Sequence, residues 1–223
     1  MNYLLELKQV FLIPTKHFQK QEYSIKKSYT YYLVISLIAT LLSSIATYFE
    51  ILNTHGGLRN FFRTNQLGLS FIEFSLVFFG TAATTLIAVL IAPLVWSACT
   101  QAGLYVFAGK KSYKKTFIVT TKAFTIFFVY ALILSILLAF ISLFLGRSTM
   151  FQILSFLFST ITILAALTHF VYAQSRGIEI RQDISFKKGL GAVLFLPVLA
   201  LLLAILFGLF IGILTLLLFT APF

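Results

Sequence analysis

The chain has 223 residues, of which 60% are hydrophobic and only 10% charged, with a formal net charge of +11. A soluble domain carries about a quarter charged residues, so this composition excludes an ordinary globular fold and points to lipid-facing helices. The lone cysteine, Cys99, excludes an intramolecular disulfide and a cysteine-based metal cluster.

Residues 1–30 read as a cytoplasmic segment. The longest apolar run here, Val10–Ile13, is too short for a signal peptide, and Pro14, Lys16 and His17 follow it at once. Leu4, Leu5, Leu7, Val10, Phe11 and Leu12 share one face at helical spacing, which predicts an interfacial helix ended by Pro14. Thr15 is the expected cap of a second short helix carrying His17, Phe18 and Glu22.

Residues 31–219 read as an all-α transmembrane domain of five spans. The first, Tyr31–Phe49, gives roughly 28 Å of helix, about one hydrocarbon thickness. Tyr29, Tyr31 and Tyr32 mark one interface, with Tyr48 and Phe49 at the other. The runs Leu69–Cys99 and Phe117–Leu145 are each too short for two spans, so each is one long helix. Phe151–Ala173 and Leu190–Phe219 complete the set, and Gln174–Gly189 reads as a polar loop between them.

Charge sets the expected orientation. Lysines 8, 16, 20, 26 and 27, the plug Lys110, Lys111, Lys114 and Lys115, and the set Arg176, Arg181, Lys187 and Lys188 all fall on one side. Only Arg59, Arg63 and Arg147 fall on the other. Thirteen against three predicts a cytoplasmic N-terminus and an external C-terminus. The same clustering explains the net charge without nucleic acid.

Polar groups inside apolar spans are where function is most readily written. Glu73, Lys122 and His169 lie near span ends and read as interface anchors, with Lys122 snorkelling to the headgroups along its stem. Cys99 reads as a small buried thiol. No metalloprotease, nucleophile-elbow or P-loop pattern occurs, so the expectation is a non-enzymatic protein without cofactor or metal. Pro93 and Pro197 are expected to kink their helices at similar cytoplasmic depth. Gly208 and Gly212 form a small-residue pair suited to helix packing within the subunit, with a homo-oligomer as the alternative.

Three stretches carry a family resemblance: Phe11 to Phe18, with its proline; the Ala-Gly-Lys-Lys-Ser-Tyr-Lys-Lys-Thr-Phe joint between the second and third spans; and Gly177 to Gly189 before the fifth. In this order around five spans, the chain resembles the Yip-one domain family. The resemblance implies a five-helix bundle with a cytosolic N-terminus. Eukaryotic relatives are associated with Rab-type GTPases, vesicle traffic and membrane shaping. Their longer Gly-, Tyr- and Pro-rich signatures are missing here, so the chain looks like a prokaryotic-type member of the plasma membrane and GTPase binding is not carried over.

The expected function is a membrane organiser or adaptor acting in trafficking or membrane organisation. It would act through a basic cytoplasmic face of Lys110, Lys111, Lys114, Lys115, Arg181, Lys187 and Lys188. The expected partners are anionic inner-leaflet lipid and a cytoplasmic protein. The alternative is a transporter or channel component with an inner-leaflet vestibule near Pro93 and Pro197. An odd helix count and an apolar midplane weigh against it.

Overall fold

Backbone polar groups in hydrocarbon must find partners within their own segment, so long apolar runs become helices. The computed structural model describes residues 3–19, 24–54, 67–109, 111–145 and 148–220. It contains α1 (Tyr3–Leu12), α2 (Pro14–Gln19), α3 (Ile25–Thr54), α4 (Leu67–Ala108), α5 (Tyr113–Leu145), α6 (Thr149–Gln182) and α7 (Phe186–Thr220). Five of these, α3 to α7, are long and apolar enough to cross a membrane, and no strand occurs among the described residues.

Helix α5 is central: α3, α4 and α6 all pack against it, while α7 packs across α4 and α6. Much of the buried core lies where α4 ends and α5 begins, with Leu104, Val119, Ile178, Ala192 and Val193 fully or almost fully buried. We call this the basic end, because Lys114, Lys115, Lys187 and Lys188 are exposed beside it. Toward the other end α7 presents an unbroken exposed apolar surface from Leu201 to Ile211.

Two helices outrun their apolar cores. Helix α4 continues past Cys99 to Ala108, because Thr100, Gln101 and Gly103 face other helices rather than water. A Cβ on Gly103 would overlap the Ala192 backbone, so glycine is what allows α4 and α7 to touch there. Helix α6 likewise continues through most of the expected loop to Gln182. Asp183 then takes the left-handed conformation (φ 53°), and its N–H donates to Glu179 O to close the helix. At the other end Ser148 Oγ accepts from Phe151 N at 3.2 Å.

Pro93 and Pro197 both lie inside helices. Because α4 runs on to Ala108, Pro93 stands about 22 Å from its end, while Pro197 stands about 16 Å from the start of α7. Pro14 opens α2 as its first residue, a position where the missing N–H removes no helical bond.

Candidate functional site

The N-terminal helices do not lie apart from the bundle. Glu6 meets Lys122, Val10 packs with Ile126 and Ala173, and the Phe11 ring lies 5.5 Å from Tyr130. These contacts step along α5 in register, so α1 runs beside it over eight residues, about 12 Å. The chain turns at Leu12 to Pro14, and α2 returns: His17 comes back to Lys122, and Phe18 packs with Val119 and Ile178. The two helices thus form a re-entrant hairpin against α5 and α6, with Leu12 and Ile13 exposed at its tip. Of the apolar face expected to rest in the interface, Val10 and Phe11 pack on α5 and α6 instead, Leu12 is exposed, and the side chains of Leu4 and Leu5 lie outside the described residues.

Small residues make room for it. A Cβ on Gly177 would stand 2.5 Å from Val119 Cγ1 and 2.9 Å from Phe18 Cε2, so the α2 ring needs a glycine beneath it. His169 of α6 sits 4.6 Å from the Phe11 ring, with Tyr130 Oη 3.5 Å from its Nδ1.

Under the hairpin lies a buried charge cluster. Lys122 is 1% exposed, which rules out the snorkelling expected of it. Its Nζ is 3.4 Å from Glu6 Oε2 and 3.2 Å from His17 Nε2, and 5.1 Å from the Tyr31 ring centroid. An ammonium has three donors and no acceptor, and here a carboxylate, an imidazole nitrogen and a ring face surround it. Burial, and then the charges of Lys122 and Arg181, hold the His17 pKa down at about 3. His17 is therefore neutral at physiological pH, and its Nε2 accepts from the lysine. Lys122 and His17 lie 105 positions apart, and nothing local in the sequence pairs them. Glu6, one helical turn before Val10 on the same face, was the available signal.

Two glutamines tie the bundle together at the same end. Trp96 Nε1 of α4 donates to Gln174 Oε1 of α6 at 2.9 Å. Gln174 Nε2 donates to Thr100 Oγ1 at 3.1 Å and to Thr120 Oγ1 at 2.8 Å, so one amide joins three helices. Two turns on, Gln182 Nε2 donates to Ser112 O at 2.7 Å and Thr116 Oγ1 at 2.9 Å, while Ser112 N donates to Gln182 Oε1 at 3.2 Å. Thr116 Oγ1 donates to Gln101 Oε1 at 2.8 Å, and Gln101 Nε2 donates to Lys111 O at 2.8 Å. The turn between α4 and α5 is thereby pinned to the end of α6.

The basic residues sort by this geometry. Lys111 turns inward, its Nζ donating to Gln182 O at 3.1 Å. Arg181 is partly buried, and its charge acts on His17. Lys114, Lys115, Lys187 and Lys188 project outward. Arg176 pairs with Glu179 at 2.8 Å and lies over the Phe186 ring. Cys99 is partly buried. Nothing lies within 4 Å of a Cβ built on Gly208, so among the described residues it makes no helix contact within the chain. Lys110, the side chain of Glu73 and the surroundings of Gly212 lie outside what the structure describes. Among those described, no three His, Cys, Asp or Glu side chains gather as a metal site.

A family model described as the Yip1 domain matches residues 8–209. No curated protein and no solved structure matches the chain. The match runs from the second half of α1 into α7, taking in α2, four candidate spans and most of the fifth. The chain therefore belongs to the Yip1 domain family of multi-pass integral membrane proteins.

Proposed function

We propose that this Yip1 domain protein is a non-catalytic membrane organiser that offers a fixed array of lysines to the cytoplasmic leaflet and to a cytoplasmic protein. The observation that carries this reading is the anchoring of the turn before α5 by Gln182, directly before the turn that leads into α7. Lys114 and Lys115 beyond one turn, and Lys187 and Lys188 beyond the other, are exposed on helices held in fixed relation. A rigid array is a recognition surface, whereas loose loops would serve orientation alone. Each lysine near an anionic leaflet contributes about 1 kcal/mol of attraction.

The reading requires the basic end to face the cytoplasm, and single cysteines placed at Lys115 and Lys187 test that by labelling in right-side-out and inverted vesicles. Crosslinked capture from native membranes, comparing wild type with Lys114→Ser/Lys115→Ser/Lys187→Ser/Lys188→Ser, tests the partner. A cytoplasmic protein and anionic lipid lost together in the variant is the expected result. Labelling from the outer side, or capture unchanged by the four substitutions, would overturn the proposal.

A further inference from the structure

A groove of about 320 Å³ opens between the end of α4 and the first half of α7. Phe107 forms one wall; Gly191, Leu194, Phe195, Val198 and Leu202 form the other. The Phe107 and Phe195 rings meet edge-to-face at 5.9 Å and close its back. Pro197 lies within the α7 stretch that lines it, but Pro93 does not contribute. No lining side chain carries a nitrogen or oxygen, so the groove suits a hydrocarbon chain and offers nothing to an ion.

Helical register places charge at its mouth. Lys187, Gly191, Leu194 and Val198 follow one another at steps of three and four, and so do Lys188, Gly191, Phe195 and Leu202 through Leu199. The two rows that wall the groove are therefore each headed by a lysine, and both lysines are exposed. From Gly191 to Leu202 the groove runs about 16 Å along α7, close to the depth of one leaflet, which is half of a ~30 Å core. Its apolar length fits an acyl chain, and its charged end fits the phosphate to which that chain is attached.

We infer that this groove is a specific site for one anionic glycerophospholipid, its headgroup held by Lys187 and Lys188 and one acyl chain lying along α7 against Phe107. The inference rests on the proposed preference for anionic lipid and gives that preference a location. It also assigns a role to Gly191: a Cβ there would already touch the Phe107 ring at 3.4 Å, so a larger side chain would fill the groove just below the lysines.

The test uses the full chain purified in detergent and exposed to equal phosphatidylglycerol and phosphatidylcholine, with bound lipid counted by native mass spectrometry. Wild type should retain phosphatidylglycerol preferentially. Lys187→Ser/Lys188→Ser should lower that preference by about thirtyfold. Val198→Trp and, separately, Leu202→Trp should displace the lipid with every lysine in place; both positions are about half exposed, so the folded bundle accommodates them. Lys26→Ser/Lys27→Ser removes the same charge from exposed positions on α3, away from the groove, and should leave retention unchanged. Equal losses from the two lysine pairs, with no effect of either tryptophan, would mean diffuse attraction and would overturn the site while leaving the proposed function standing. Equal retention of both lipids by wild type would overturn both.

Discussion

Lys122 and Glu6 stand 116 positions apart in the chain, yet Nζ and Oε2 lie 3.4 Å apart beneath a hairpin that shields both from solvent. Removing one member of a buried pair leaves an uncompensated charge, at a cost of about 3–5 kcal/mol. Lys122→Met should therefore undock α1 and α2 and let trypsin cleave after Lys8, whose side chain is exposed but whose backbone is held in the docked helix. Glu6→Gln combined with Lys122→Met should recover most of the loss in thermal unfolding, because no lone charge remains. A double variant as labile as the single one would show that the pair is not the link.

His17 gives the hairpin a pH dependence whose sign is fixed. Docked, it stays neutral down to about pH 3; released, it titrates near 6.5. Between those values the released state binds more protons, so docking is complete above pH 6.5 and weakens as pH falls, by up to ~1.4 kcal/mol per unit. Hydrogen exchange of residues 3–19 should rise between pH 7.5 and 5 after correction for intrinsic rates. His17→Gln, which keeps an acceptor but cannot titrate, should flatten the response.

Gln174 holds Trp96, Thr100 and Thr120 at once. Hydrogen bonds between membrane helices contribute roughly 0.6 kcal/mol each, so Gln174→Leu should lower bundle stability by about 2 kcal/mol. Steric trapping or thermal unfolding in detergent measures it. Stability equal to wild type would mean that Trp96 finds another acceptor and the two threonines find other donors.

Two glycines of one sequence type should behave oppositely. Gly103→Ala forces α4 and α7 apart and should cost about 1–3 kcal/mol. Gly208→Ala meets empty space within the chain and should change unfolding by no more than about 0.5 kcal/mol. A large effect at Gly208 would reveal a contact supplied by a second molecule, and sedimentation of wild type and variant would identify it.

The spans were legible because apolar length alone decides them: Tyr113–Leu145 as structured lies within four residues of the run read from sequence. The ends were not. Thr100, Gln101, Gln174 and Gln182 look like exits to water in a linear reading, since a polar side chain bonded to a neighbouring helix and one bonded to solvent have the same letter. The charge cluster was half visible for the same reason. A lysine in an apolar run announces a partner, but nothing local says that the partner is a carboxylate in the first turn of the first helix.

Among the described residues the re-entrant hairpin adds volume at one level. Near Lys122, α1 and α2 add to the five long helices, whereas beyond Tyr130 the described residues are those of the long helices. Leu12 and Ile13 are exposed at the tip, and in a bilayer with the basic end at one surface this volume would lie within a single leaflet. Such a body displaces more lipid area from the leaflet holding the basic end than from the opposite one. Many copies gathered in a patch would carry that area difference into a bend of the sheet around them, and an undocked hairpin would relax it.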